Sequence, residues 1–282
     1  MGDPMLGSAP LRNEIFAGNR AVGRIAFTVA AGLGGSRRGR VHEAGSLRVR
    51  FPNGNSQAAL EAVIVNTAGG MTGGDRFDVD IKVGDGARLS VTTAAAEKIY
   101  RSLGPDTDIG VKLEVGPGGA LAWLPQETIV FDHARLRRGI DIELARDANL
   151  VLAEAAVFGR SAMGEAVVQG QFFDRWRLRV DGALVFAETL RLDGEISQRL
   201  AQRAVTAGGV AVASIIKYPG DDSDAAAVRV MQDRFVGEVG ISAWNGLVVA
   251  RLVASDGAAL RRDLVAVLTA LNAAPLPRLW LN

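Results

Sequence analysis

The sequence predicts a mainly β fold, a β-helical, solenoid-like stack of short strands followed by a small α+β C-terminal portion with about two helices. Three observations support this prediction. The 34 glycines do not form a linker but separate short apolar runs, which is typical of strands joined by turns. Apolar and polar residues alternate with the two-residue period of strands. Residues 54–193 contain no persuasive helical pattern.

A repeat within this β region predicts the stacking. A turn, a small residue and an apolar run recur, and the aligned leucines are Leu89, Leu121, Leu150 and Leu184, spaced 32, 29 and 34 residues apart. A near-constant period is the signature of stacked units. Because the spacing is uneven, we expect two or three strands per repeat with variable loops. Chance similarity within a Gly- and Ala-rich chain is the alternative.

Individual strands are predicted where side chains alternate. Residues 77–82, 88–92 and 111–115 each place apolar side chains on one face and polar ones on the other. A further strand passes through Pro125, which confines it to a sheet edge or a bulge. At residues 97–101, the spacing of Glu97 and Arg101 predicts one short helical turn.

The last 80 residues have a different pattern. Residues 210–216 are expected to form a buried strand, and Asp222 to Asp224 to cap a helix with Val228, Met231 and Phe235 on one face.

A hairpin and a second helix complete this portion. The dipeptide Asn245-Gly246 is a strong hairpin signal between strands at 240–244 and 247–253. A helix is expected from about 258 to 272, and an apolar tail, 278–281, is expected to fold back onto the body or dock on a partner.

The predicted domain boundaries follow from these elements. Residues 1–25 form an N-terminal tail and first-strand region, and residues 26–282 form a single domain. Within this domain, a β-rich body extends to about residue 200 and an α/β portion covers 201–282.

Composition excludes several function classes. The chain has no Cys and two His, which excludes disulfides, thiolate metal sites and thiol nucleophiles and disfavours a polyhistidine site. With 32 Lys and Arg against 31 Asp and Glu, nothing in the net charge points to nucleic acid or an anionic membrane. No apolar run reaches the roughly 18 residues of a membrane span. Without a signal peptide, the cytoplasm is the expected compartment. The basic run 37–40 is a solvated loop or a contact for an acidic partner.

The segment 66–75 is the most unusual of the chain. Gly69, Gly70, Gly73 and Gly74 indicate either a tightly packed structural turn or a rigid docking loop. It is not a phosphate-binding loop, because Asp75 stands where the lysine would be and a strand follows instead of a helix.

Other candidate groups remain open at this stage. Trp123 belongs either to the core or to a docking surface, and His133 is expected in a solvated loop. No nucleophile elbow is present. A divalent cation site made of carboxylates alone depends on whether acids of the β region converge, and spacing does not decide this; they are Asp75, Asp78, Asp80, Glu127, Asp132, Glu154, Glu165 and Glu188.

Five segments occur in an order that is distinctive as a set. They are NTAGGMTGGD (66–75), TTAAAEKIYRS (92–102), LAWLPQETIVFD (121–132), FGRSAMGE (158–165) and the run 172–192. Together they resemble the urease accessory protein family UreD, called UreH in some organisms. The resemblance extends from about Ala26 to Trp280.

This resemblance implies a non-catalytic scaffold with a β-helical body. Members of the family bind UreF, which recruits the nickel-carrying GTPase UreG, and the assembly docks on apo-urease and inserts nickel. In this family nickel is thought to move through a passage in the protein. Few His and no Cys fit a passage rather than a store, because carboxylates and carbonyls let nickel leave. No permanently bound cofactor is expected, only transient nickel.

The resemblance also selects residues for partner docking or for lining the passage. They are Gly69, Gly70, Gly73, Gly74, Asp75, Trp123, Gln126, Glu127, Glu154 and Glu188. Asp75 and Glu127 lie inside matched motifs and are the first candidates for transient nickel contacts.

Two other functions are alternatives to this one. A β-helical enzyme acting on an acidic polysaccharide would use carboxylates or Arg and Lys along one solenoid face, but such enzymes are mostly secreted. A β-rich assembly scaffold for an unknown partner is the third hypothesis.

Overall fold

Strands alternate between two facing sheets as the chain proceeds. The computed structural model describes residues 20–52, 59–160, 163–272 and 274–281. The predicted tail, up to residue 19, lies outside the described residues. The strands are β1 (Val22–Gly32), β2 (Gly35–Gly45), β3 (Leu47–Arg50), β4 (Leu60–Asn66), β5 (Arg76–Val83), β6 (Arg88–Thr93), β7 (Glu97–Ile99), β8 (Thr107–Val115), β9 (Ala120–Trp123), β10 (Thr128–Val130), β11 (Arg135–Leu144), β12 (Asn149–Phe158), β13 (Gly170–Val180), β14 (Ala183–Gly194), β15 (Ala211–Tyr218), β16 (Glu238–Trp244) and β17 (Leu247–Ala254). The helices are α1 (Ile196–Leu200), α2 (Asp222–Arg229) and α3 (Gly257–Leu271).

Parallel pairing builds a solenoid from these strands. Sheet A has the order β14-β13-β11-β8-β5-β1-β2, and its strands β5, β8, β11 and β13 are parallel neighbours. Sheet B has the order β16-β17-β15-β12-β9-β6-β4-β3, with β7 and β10 attached beside β12. From β5 to β12, each coil contributes one strand to sheet A and one or two strands to sheet B, so the predicted stack of coils is confirmed.

The predicted leucine repeat is correct for three of its four positions. Leu89 pairs with Leu121, and Leu121 pairs with Leu150, in the parallel ladder of sheet B. Leu184 was assigned wrongly, because it lies on β14, which returns antiparallel to β13. Asp181 and Gly182 both have positive φ, which makes a tight hairpin turn instead of a coil corner.

Two further local predictions were wrong. Residues 97–99 form strand β7 instead of a helical turn, because they pair in parallel with β10. Residues 37–40 lie on the exposed strand β2 and not in a loop; β2 ends its sheet, and positive charge on an edge strand opposes pairing with another chain.

The predicted C-terminal elements are present. The residue that caps α2 is Asp221, one position before the predicted Asp222 to Asp224, and it forms a capping box with Asp224. The helix ends at Arg229, so Met231 and Phe235 lie beyond it. The Asn245-Gly246 hairpin joins β16 and β17, and both turn residues have positive φ. The strands of this portion extend sheet B, because β15 pairs with β12.

Two apolar clusters hold these layers together. One fills the space between the sheets, and the other lies between the outer face of sheet B and α3. Strand β12 contributes alternate residues to both, as its period of two requires. Within the described ranges, no helix combines the length and apolar character that a membrane-spanning helix requires.

Candidate functional site

Three ionisable side chains interrupt the apolar interior between the sheets. Arg138 on β11, Glu154 on β12 and Asp174 on β13 occupy inward positions whose neighbours two residues away are apolar. Arg138 and Asp174 are paired in the ladder of sheet A, whereas Glu154 comes from the opposite sheet. All three are buried. We refer to them as the ion triad.

Hydrogen bonds within the ion triad are direct. The guanidinium of Arg138 donates to both oxygens of Asp174, at 3.0 Å from Nε and 2.5 Å from Nη2. Its Nη1 donates to Glu154. The other oxygen of Glu154 accepts from the indole Nε1 of Trp123 at 2.8 Å. Two carboxylates therefore share one guanidinium and one indole N–H in a buried environment.

Burial and neighbouring charges shift the pKa values of Glu154 and Arg138. Burial raises the pKa of the Glu154 carboxyl, and the neighbouring Asp174 adds to the rise while Arg138 opposes it. Burial opposes the charge on Arg138, yet Asp174 and Glu154 outweigh it and raise the pKa of Arg138. The guanidinium therefore stays charged, and the two acids compete for its single positive charge.

An interior cavity of about 320 Å³ lies against one side of the ion triad. Arg138, Glu154 and Trp123 form its inner end. At the other end, the exposed Ala95 and Lys98 line the same cavity, so it opens at the loop before β7. Its apolar walls include Leu47, Ile64, Phe77, Val79, Ile109 and Val111.

The mouth of the interior cavity carries another carboxylate. Glu97 accepts a hydrogen bond from the Nδ2 of Asn66 at 2.9 Å. Burial raises the pKa of the Glu97 carboxyl, and the hydrogen bonds from Asn66 and from the backbone N–H of Lys98 reduce that rise. The cavity is thus an apolar chamber with one acidic and one basic side chain at each end, Glu97 and Lys98 at the mouth and Glu154 and Arg138 at the inner end.

A smaller pocket lies on the other side of the ion triad. Its volume is about 20 Å³, enough for one water molecule, and Arg138, Glu154, Asp174, Glu188 and Ser214 are among its lining residues.

This smaller pocket leads toward the surface. Glu154 is paired with Ser214, and Ser214 with Arg251, across sheet B. Arg251, whose side chain is more than half exposed, binds Glu188 at 2.9 Å. These four residues, Glu154, Ser214, Arg251 and Glu188, form a polar belt that connects the interior cavity to the surface near β17.

The predicted glycine segment packs as a structural turn. A Cβ on Gly70, whose φ is +150°, would lie 2.3 Å from the ring of Tyr100. A Cβ on Gly73 would lie 2.0 Å from the Oγ of Ser102 and 2.5 Å from the carbonyl oxygen of Pro105. These glycines allow the corners of successive coils to approach each other. Of the four, Gly69 lines the interior cavity.

The carboxylate of Asp75 accepts backbone hydrogen bonds at the same turn. Its two oxygens accept from the backbone N–H groups of Ala21, at 2.8 Å, and Thr72, at 2.7 Å. Asp75 is buried but does not line the cavity. A nickel contact by Asp75 stays a prediction, and the structure gives this residue a turn-capping contact.

Trp123 belongs to the core and lines the interior cavity. The sequence placed Pro125 at a sheet edge or at a bulge, and the edge is excluded because β9 lies between β6 and β12. The strand stops at Trp123, and residues 124–127 lie opposite residues 153–155 of β12. This one-residue excess is the bulge that the sequence left as the other alternative. It lies opposite Glu154.

Gln126 and Glu127 connect this bulge to the C-terminal segment. The Nη1 of Arg261 on α3 donates to both side chains, at 2.7 Å and 2.9 Å. The Nη2 of Arg261 and the side chain of Gln126 donate to the carbonyl of Leu279. Gln126 also lines the interior cavity, whereas Glu127 does not.

The predicted residues therefore divide by location. The interior cavity brings together Gly69, Trp123, Gln126 and Glu154, and Glu188 lies in the smaller pocket beyond them. The other predicted residues lie elsewhere. In the part of the chain that the structure describes, no three His, Asp or Glu side chains converge to hold a metal ion.

Sequence reasoning missed Arg138, Asp174 and the position of Glu97. A signal was available for two of them, because each replaces an apolar residue at an inward position of an alternating strand. A charge at such a position requires a buried partner. Which partner it meets depends on register across strands distant in sequence.

Known proteins match this chain over nearly its full length. A family model described as UreD urease accessory protein matches residues 21–281. The chain belongs to the UreD family. A UreD protein of Rhodopseudomonas palustris (strain HaA2), named urease accessory protein UreD, is 58% identical over 270 residues, which cover 96% of each chain. Another UreD protein, from Bradyrhizobium diazoefficiens, is 54% identical over 96% of this chain and 97% of its own. The resemblance seen in the sequence segments is confirmed.

Proposed function

We propose that this chain is a non-catalytic scaffold in urease maturation and that nickel crosses it through the interior cavity and the polar belt. The observation that carries the proposal is the interior cavity of about 320 Å³, which has Glu97 at its mouth and Glu154 at its inner end. Membership in a family of urease accessory proteins supports the role. The relatives carry the same name.

The chemistry of the cavity suits a cation in transit. Its charged groups are separated by apolar walls, so no single position offers a full set of ligands. Isolated carboxylate oxygens bind nickel less tightly than thiolate or imidazole sets would, and transport requires sites that release the ion again. Nickel is cargo in this proposal, and no permanently bound cofactor takes part.

We assign the principal transient contacts to Glu97, Glu154 and Glu188, ahead of the predicted Asp75 and Glu127. The carboxylate of Asp75 caps a turn, and that of Glu127 binds Arg261. Both residues then support the fold at the corner and at the C-terminal segment. Partner docking by the glycine segment stays part of the proposal.

The partners in this proposal come from the family resemblance. UreF binds the chain, UreG reaches it through UreF, and the assembly docks on urease apoprotein. The cytoplasmic setting stays a prediction. Co-purification tests the first contact: tagged chain produced together with UreF retains it after washing, and recovery of the chain alone contradicts this part.

The maturation role is tested in cells that lack only this gene and produce the urease subunits normally. We expect purified urease from these cells to be inactive and free of nickel, and both nickel and activity to return when the chain is supplied in trans. Fully loaded, active urease in the deletion strain would contradict the proposal.

A further inference from the structure

The guanidinium of Arg138 lies where the two internal spaces meet. Arg138 and Glu154 line both the interior cavity and the smaller pocket. Hydrogen bonds connect the guanidinium to both sheets at this point, to Asp174 on sheet A and Glu154 on sheet B. A group that moves from one space to the other at this point passes Arg138 and Glu154.

When both of its acids are ionised, the charge of the ion triad is incompletely balanced. Asp174 and Glu154 supply two negative charges when ionised, and Arg138 supplies one positive charge. The Oγ1 of Thr128, 3.4 Å from Nη1, and the indole of Trp123 provide only dipoles. Buried charge is costly unless it is matched. A divalent cation in place of the guanidinium would balance both carboxylates, whereas a monovalent cation would gain nothing over Arg138.

We propose that Arg138 is a gate in the passage. Its guanidinium binds the carboxylates of Glu154 and Asp174 and keeps other cations from them until a divalent cation displaces it. This inference rests on the proposed function and adds the residue that controls it. Arg has a long, flexible stem, and the adjacent interior cavity has room for the displaced head group. After the cation leaves toward Glu188, the guanidinium returns to the carboxylates.

A structural ion pair makes a different prediction. If Arg138 only joins the two sheets, its removal weakens the fold and creates no affinity for metal. If Arg138 occupies the place of the cation, its removal exposes two carboxylates that face a common space. The gate therefore predicts a new nickel site in a variant that lacks the guanidinium.

The test measures nickel binding to the purified full-length chain without urease. We expect Arg138→Gln to bind one nickel ion per chain in equilibrium dialysis against NiCl₂, and the wild type to bind at least tenfold more weakly. Nickel should also raise the Tm of Arg138→Gln, because a ligand that binds only the folded state stabilises it. The matched control Arg138→Gln/Asp174→Asn should lose both effects.

Failure of the variant to fold is also informative. If Arg138→Gln is insoluble, NiCl₂ in the growth medium should restore soluble chain, and Arg138→Lys, which cannot span both carboxylates, should show the nickel site instead. A folded Arg138→Gln variant that has no nickel site overturns the gate. If Arg138→Gln is insoluble, the gate is overturned when NiCl₂ does not restore soluble chain and the Arg138→Lys variant binds no nickel. These readouts do not involve urease, so they are independent of the deletion experiment above.

Discussion

The carboxyl group of Glu97 contributes, together with Lys98, to the charge at the mouth of the interior cavity. Burial raises its pKa, so the folded chain holds this proton more tightly than the unfolded chain does. The stability contributed by this group is complete below the ordinary Glu pKa of about 4.3 and is lost as pH rises through the folded value. At neutral pH, Glu97 is therefore a source of instability, which is compatible with a role in binding a cation.

We predict that Glu97→Gln raises the Tm at pH 7 and leaves it unchanged near pH 4. Gln keeps an acceptor for the Nδ2 of Asn66 but has no charge to desolvate. Thermal unfolding of both proteins between pH 4 and pH 8 measures the difference. A Tm difference that is the same at both ends of this range would mean that the ionisation of Glu97 is not its cause.

The glycine segment makes a steric prediction at the same scale. Gly73→Ala should lower the free energy of unfolding by about 1–3 kcal/mol, the usual effect of overpacking, because the new Cβ meets Ser102 and the backbone of Pro105. Gly240→Ala on β16 is the matched control, since its Cβ meets nothing within 4 Å. Urea unfolding compares the two, and equal midpoints would remove the steric explanation.

At the scale of elements, the C-terminal segment is fastened to the bulge between β9 and β10. Trp280 is buried, and its Nε1 donates to the carbonyl of Leu124 at 2.9 Å. The guanidinium of Arg261 lies 5.0 Å from the centre of the Trp280 ring. This answers the question that the sequence left open, because the apolar tail folds back onto the body.

Trp280→Ala should lower the free energy of unfolding by about 3–5 kcal/mol, as large-to-small changes in a core do. Trp244→Ala is the control, because Trp244 is 40% exposed on the edge strand β16 and should have a smaller effect. Chemical denaturation measures both. An effect of Trp280→Ala no larger than that of Trp244→Ala would indicate that the segment does not depend on this contact.

The elements also mark the limit of sequence reasoning. The alternation of side chains and the turn residues are local, so most strands and both long C-terminal helices could be predicted. Whether a turn closes a hairpin or forms a coil corner was harder to predict. Asp181-Gly182 and the coil corners have similar residues, yet only Asp181-Gly182 reverses the chain in a hairpin. The ion triad could not be predicted, since it requires the register of β11 against β13 and the distance between the sheets.

At the scale of the whole molecule, the proposed route has one end at the mouth of the interior cavity and the other near Arg251. The loop before β7 opens the interior cavity to solvent, and Arg251 is exposed beyond the smaller pocket. Ala96 lies half-buried at the first opening. A large cationic side chain at this position would fill the mouth and repel a metal ion, while the rest of the solenoid remains intact.

The most direct test of the account is the nickel content of urease matured with Ala96→Arg in the deletion strain. Ala183→Arg, on an exposed position of β14, adds the same side chain away from the cavity and serves as the control. We predict less than a tenth of the wild-type nickel per urease with Ala96→Arg and normal loading with Ala183→Arg, while both chains stay folded and retain UreF. Normal loading with folded Ala96→Arg would contradict transit of nickel through the interior.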